Sequence, residues 1–240
     1  MAQSGVQGVL LDLGGVFYLP DHEKMRVALA RLGIDADPDD LDRAHYLGVA
    51  GIDAHLAAIP EDTYDGHRVW YAYNRSYAEA VGVAEDRFEH AMAVLLEEFG
   101  RGSVWTREIP EARDALRRIA ATGIGIAIVS NADGSVEQQL RDDGICQVGP
   151  GRGVEVGAVL DSTVVGMAKP DPAIFRLALD ALGVAAADAI HVGDMPAADV
   201  AGALAAGVEP VLVDPYDHHT HLDCTRVRSL AGVLDLLGVS

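Results

Sequence analysis

Asp12 closes a short apolar run, Val9-Leu10-Leu11, and is followed at once by Leu13-Gly14-Gly15-Val16. A carboxylate at the tip of a buried strand is costly unless a metal ion or a lysine compensates it. Three later segments supply candidates. Ser130-Asn131-Ala132-Asp133 closes a second apolar run, Lys169-Pro170-Asp171-Pro172 opens a helical pattern, and Gly193-Asp194 closes a further run with Asp199 five residues on. Open α/β sheets place their chemistry at strand carboxyl ends. Acid, hydroxyl, lysine and paired acids are therefore expected to converge on one crevice. Gly14 stands two residues after Asp12, where a second acid could have sat.

The elements that must position these residues follow from apolar patterning. After residue 105, the apolar runs 124–129, 154–160, 190–192 and 210–213 alternate with amphipathic helical patterns at about 110–122, 134–143, 172–182, 197–206 and 226–237. Alternation of this kind predicts an α/β fold, a doubly wound, Rossmann-like parallel sheet with right-handed crossovers. Residues 18–105 read differently. Eleven of the thirteen aromatic residues lie between Phe17 and Trp105, and Met25, Leu29 and Leu32, then Val69, Tyr73 and Tyr77, then Phe88, Met92, Leu95 and Phe99 recur at helical spacing. The expected organisation is a core domain of residues 1–17 and 106–240, with a helical insert at 18–105. Gly149-Pro150-Gly151-Arg152-Gly153 reads as a turn rather than a dinucleotide fingerprint.

Composition bounds the partners. With 18 basic and 37 acidic residues the net charge is -19, which argues against nucleic acid, whose phosphates need a basic face. An anionic ligand would have to be drawn in locally. Cys146 and Cys224 are the only cysteines, too few and too far apart for a disulfide framework, so a reducing compartment is expected. No apolar stretch reaches the roughly 18 residues a membrane span requires, and residues 1–8 lack the pattern of a signal peptide. A cytoplasmic protein without a membrane partner, monomeric or homodimeric, is the expectation.

Taken in order, Asp12, Ser130, Lys169 and the Asp194/Asp199 pair resemble the four motifs of the haloacid dehalogenase-like hydrolase superfamily. The likeness extends over the whole chain, since members of the helical-cap type carry a cap domain where the aromatic-rich insert lies. The resemblance implies a magnesium-dependent phosphatase acting on a small phosphorylated metabolite. It makes Asp12 the nucleophile that becomes an aspartyl-phosphate. It gives the metal to Asp12, the backbone carbonyl of Gly14 and Asp194, hard oxygen ligands suited to Mg2+. Asp199 joins this metal-site group, chiefly as the acid that orients it. The Ser130 hydroxyl, the backbone N–H of Asn131 and Lys169 would bind the phosphate. A phosphate monoester is a dianion that repels a carboxylate, so positive charge must be in place before Asp12 can approach phosphorus.

Each residue also has a plainer role open to it. Ser130 could be an ordinary helix cap, Lys169 a solvated loop lysine, and Asp194 and Asp199 a cap and a surface acid. Against this, Lys24 is the only other lysine in the chain.

Gly14 is the departure from the family pattern. Most phosphatases of the family have an aspartate here, which protonates the leaving alcohol and then activates water, although some resemble this chain in having glycine, so hydrolysis stays open. Glycine can do neither, and general acid-base help is typically worth about 10² to 10⁴ in rate. Better leaving groups, such as sugar 1-phosphates, acyl phosphates or aryl phosphates, are the expected consequence, unless an acid is borrowed from elsewhere. Asp21 and His22 are the nearest titratable candidates. Gly14 counts against a mutase, while a metal-independent 2-haloacid dehalogenase and a non-catalytic phosphate-binding module remain open. A phosphonate hydrolase would need a cap lysine, for which Lys24 is the sole candidate. Two further stretches are ambiguous. His67–Arg75 could line a pocket or form the core of the insert, and Asp214–His221, with His218, His219 and His221, has the composition of a transition-metal site but loop-like spacing.

Overall fold

The computed structural model describes residues 5–56, 65–99 and 103–239. Two compact units make up the chain. The first comprises Met1–Phe17, Ile109–Pro215 and His221–Ser240; the second comprises Tyr18–Glu108 and Tyr216–Thr220.

In chain order the first unit opens with β1 (Gly8–Leu11). The second unit then supplies β2 (Tyr18–Pro20), α1 (His22–Ala30), α2 (Pro38–Ala50), α3 (Ile52–Leu56), α4 (Asp65–Ala80), α5 (Phe88–Phe99) and β3 (Trp105–Glu108). Met25, Leu29, Tyr73, Tyr77 and Leu95 are buried in this helical unit, so the periodicity read from the sequence marks its core. β2 and β3 pair antiparallel, from Tyr18 with Glu108 to Pro20 with Trp105.

The first unit resumes with α6 (Ala112–Ala121), β4 (Gly125–Ser130), α7 (Val136–Asp142), β5 (Cys146–Val148), β6 (Val154–Val156), β7 (Ala158–Asp161), α8 (Ser162–Val165) and α9 (Pro172–Leu182). It ends with β8 (Ala189–Gly193), a π-helical turn at Pro196–Val200, α10 (Ala201–Ala206), β9 (Glu209–Val213), β10 (Thr225–Val227) and α11 (Ala231–Leu237). Six strands form one sheet in the order β10-β9-β8-β1-β4-β7, and every pairing in it is parallel. β1, β4 and β8 read as near-continuous apolar runs because a parallel sheet is covered on both faces. Leu10, Ala127, Val129, Ile174, Phe175 and Ala178 pack together in that core.

Local chemistry sets the boundaries. Asp171 caps α9 by accepting from the Ala173 N–H, Pro172 takes the first turn, and Gly183 closes the helix at φ 66°, the left-handed conformation glycine adopts freely. Other expected boundaries shift. The apolar run 154–160 is two strands rather than one: β6 pairs with β5 in a separate two-stranded sheet, while β7 joins the main sheet. Gly157 lies between the two strands, where a Cβ would enter the space of the Leu182 side chain. The helix expected from 226 begins only at Ala231, because Thr225–Val227 pairs with β9 as the sheet edge. Among the described residues, no helix is long and apolar enough to cross a membrane.

Candidate active site

From β1 the chain proceeds to β4 and β7 on one side, whereas β8 leads to β9 and β10 on the other. The direction of winding reverses between β1 and β8, and crevices for ligands form at such switch points. Asp12 follows β1 there, its N–H donating to the Val192 carbonyl at 2.8 Å. Asp194 follows β8. The Gly15 backbone has φ 65°, and a Cβ on it would overlap the Asp194 carboxylate. The second glycine of Gly14-Gly15 therefore serves packing as well as turning: it lets the acid of one strand tip lie against the backbone of the other.

Burial is common to the group. Asp12, Ser130, Lys169, Asp194 and Asp199 are each 8% exposed or less, which sets aside a solvated loop lysine and a surface acid. Lys169 Nζ lies 2.7 Å from Asp12 Oδ1 and 2.7 Å from Asp199 Oδ1. Asp199 is further held by His191 Nε2, 2.8 Å from Oδ1, and by the Met195 N–H, 2.9 Å from Oδ2. Gly193 has the same relation to Asp199 that Gly15 has to Asp194, because a Cβ there would overlap the Asp199 carboxylate.

Ligand atoms of Asp12, Asp194 and Asp199 lie within 4.8 Å of one another. Three buried carboxylates against one lysine leave excess negative charge. Burial, together with the neighbouring Asp199 and Asp194 charges, pushes the Asp12 carboxyl up to about 7 despite the opposing pull of Lys169. Burial works the same way on Asp199, but Lys169 and His191 outweigh it and hold Asp199 well below the usual carboxylate range. Burial would lower Lys169, yet Asp12 and Asp199 carry it above its ordinary value. An all-oxygen donor set with a charge deficit fits a hard divalent cation.

Ser130 is the last residue of β4, in register with Asp161 of β7. It does not cap a helix: α7 starts only at Val136, and residues 131–135 form a loop. That loop is held from outside. Asp161 Oδ2 accepts from the Gly134 N–H at 2.8 Å and the Val136 N–H at 3.4 Å, while its Oδ1 caps α8 through the Thr163 N–H at 3.0 Å. The Asn131 side chain joins the lysine segment, donating to the Lys169 carbonyl at 2.9 Å and accepting the Lys169 N–H at 2.8 Å.

Sequence reasoning passed over His191 and Asp161, and it considered Asn131 only for its backbone. The available signal was polarity out of place: a histidine inside the apolar Ile190-His191-Val192 and an aspartate closing a run of Val and Leu.

Asp21 and His22 are otherwise engaged. Asp21 caps α1 through the Lys24 N–H at 2.9 Å, and His22 Nε2 lies 2.7 Å from Asp42 Oδ1, a carboxylate that Arg107 also contacts. In α4, Ala72, Tyr73 and Tyr77 are buried core, and Arg75 pairs with Glu79 and Glu85. Residues 65–67 of that helix and 57–64 before it lie outside the described side chains. In 214–221, Asp214 pairs with Arg226 at 3.3 Å and the Tyr216 ring stacks on His218. Among the described residues, the acids and imidazoles of this segment form no converging ligand group.

A buried aspartate with a lysine bridge thus lies at the switch point of a doubly wound sheet, where α/β enzymes place their ligands. Comparison with known proteins narrows the class. The haloacid dehalogenase-like hydrolase family matches over residues 6–207, and the chain belongs to that family of hydrolases. It is 34% identical over 161 residues to phosphoserine phosphatase of Thermus thermophilus, covering 61% of this chain and 62% of that one. It is 38% identical over 109 residues to phosphoglycolate phosphatase of Rhodospirillum rubrum, covering 45% and 42% respectively. Each match thus spans less than two thirds of the relative. The fold is similar to that of the HAD-hydrolase YfnB of Bacillus subtilis, solved bound to magnesium, with TM-score 0.62 and 17% identity over 98% of this chain and 99% of that one.

Proposed function

We propose that the protein is a magnesium-dependent phosphatase that hydrolyses a small phosphorylated metabolite through an aspartyl-phosphate on Asp12. The observation that carries this reading is Lys169 Nζ bridging Asp12 Oδ1 and Asp199 Oδ1 at 2.7 Å each, beside a buried three-carboxylate cluster. Phosphatase-named relatives support the same reaction class.

Asp12, the Gly14 carbonyl and Asp194 would hold the metal, with Asp199 orienting the group through Lys169. Bound there, magnesium would offset the charge of the carboxylates and of the phosphate. Asp12 then attacks phosphorus with a carboxylate oxygen as the ester P–O bond breaks. The leaving oxygen departs with the electron pair and takes its proton from water, because Gly14 offers none. Ser130 donates its hydroxyl to a phosphate oxygen, the Asn131 N–H supports it, and Lys169 neutralises charge on the transferred group. Water next attacks the acyl-phosphate phosphorus, releasing inorganic phosphate and restoring the Asp12 carboxylate.

The helical unit takes the role of a cap that selects the substrate. Cys146 and Cys224 are free thiols, in keeping with the cytoplasm. The net charge of -19 favours a small ligand drawn in by Lys169 over nucleic acid. The test is turnover of an aryl phosphate with and without magnesium, beside D12N. Magnesium-dependent release of phosphate, abolished by D12N, is expected. Halide release from a 2-haloacid without metal would replace the reading with a dehalogenase, and neither activity would leave a binding module.

A further inference from the structure

His191 occupies the middle of β8, with no solvent exposure, between Ile190 and Val192. A strand interior covered on both faces suits an aliphatic side chain, and burying a polar ring there costs free energy that its contacts must offset. Beside a hydrogen bond to the backbone of Leu10 on β1, its ring is bonded through Nε2 to Asp199 Oδ1, the same oxygen that Lys169 Nζ contacts. Asp199 carries its negative charge, so that oxygen can only accept and Nε2 must carry the proton. Phe175 stands edge-on to the imidazole with centroids 4.8 Å apart, which fixes the plane of the ring.

We propose that His191 is a positioning residue whose Nε2–H locks the Asp199 carboxylate so that Lys169 is held against Asp12. A carboxylate turns about its terminal bond, and a lysine ammonium is a point charge on four flexible carbons. Met195 and Lys169 alone would hold Asp199 at one contact per oxygen. The His191 bond adds a third, from the sheet itself, at the oxygen where Lys169 binds. An imidazole thereby exchanges core packing for geometry at the nucleophile. Among the site's side chains described, it bonds to Asp199, so it acts through Asp199 and Lys169.

The inference deepens the phosphatase reading and rests on it for its kinetic consequence, while its structural consequence is independent of turnover. Lys24 and Lys169 are the only lysines, so the ammonium ¹H–¹⁵N spectrum of the full chain has two side-chain signals, assigned with K24R. In H191L, which lacks the donor, the Lys169 signal is expected to broaden or be lost through exchange with water. In H191Q, whose amide restores a donor, the signal is expected to persist. With an aryl phosphate, kcat of H191L should fall roughly 10- to 100-fold, the range for partners that orient a site ligand, while KM changes much less and H191Q recovers most of kcat. H191M, also without a donor, serves if H191L does not fold. An unchanged Lys169 signal in H191L, or H191Q as impaired as H191L, overturns the proposal. Wild-type protein without phosphatase activity but with the expected spectra would sink the phosphatase reading and leave the positioning role supported.

Discussion

Asn131 and Lys169 are joined twice, the side-chain amide of the first donating to the backbone carbonyl of the second and accepting from its N–H, at 2.9 and 2.8 Å. An asparagine amide can imitate a peptide group, and here it forms what amounts to one rung of backbone pairing between two loops. The loop that follows β4 and the lysine loop are thereby in register with one another.

N131A removes both bonds and leaves the Lys169 N–H and carbonyl to find water. A loss of about 1–3 kcal/mol is expected, the cost of unpairing such groups, with a fall in kcat of roughly tenfold from a displaced Lys169. Denaturant unfolding and steady-state kinetics check the two separately. Full stability with full activity would show the bridge to be incidental.

G15A addresses the meeting of strand tips. The position has φ 65°, and the added carbon would overlap the Asp194 carboxylate. Backbone strain of about 1–3 kcal/mol is expected, and the displaced Asp194 should weaken magnesium binding about tenfold or more. Calorimetric titration with magnesium reads this directly, and unaltered affinity would remove Asp194 from the metal site.

The charge on Asp12 makes stability depend on pH with a definite sign. Burial raises its carboxyl from 3.8 to about 7, so between those values the folded protein holds a proton that the unfolded chain has released. Its contribution to stability therefore falls as pH rises from about 4 to about 7. Asn does not titrate, and D12N should gain thermal stability relative to wild type across that interval in metal-free buffer, then keep a constant lead above it. Paired melts across the range test this. A gap that does not widen would mean that Asp12 ionises normally.

Gly14 sets a dependence on the leaving group. Without an acid at that position, turnover should fall steeply as the pKa of the leaving alcohol rises, with a penalty of about 10² to 10⁴ for alkyl esters relative to an assisted reaction. A series of substituted aryl and alkyl phosphates measures the slope. A flat series would reveal a general acid supplied from elsewhere in the chain.

How far the sequence could be read depended on whether a residue's position or its partners gave it meaning. Asp12, Ser130 and Asp194 were legible because each interrupts or follows an apolar run at the end of a parallel strand. The limits of α9 were legible because Asp171, Pro172 and Gly183 are local signals. β10 was not: three residues at a sheet edge, Thr225-Arg226-Val227, gain their extended form from pairing with β9, and no local pattern records a neighbour. His191, Asp161 and the Asn131 amide are of the same kind. Their importance lies in contacts 8 to 38 residues away along the chain, which spacing does not reveal.

Asp161 carries this furthest. One carboxylate caps the helix that follows its own strand and also accepts from the loop beyond β4, so those two segments cannot be exchanged independently. Grafting the 131–135 loop from a relative into this chain would require a compatible acid at 161, and transplanting the 161–165 turn would require a loop that can answer it. The structural unit at this edge of the sheet is the pair of loops, and a chimera that separates them would leave the buried Asp161 carboxylate or the loop N–H groups it accepts from to find other partners.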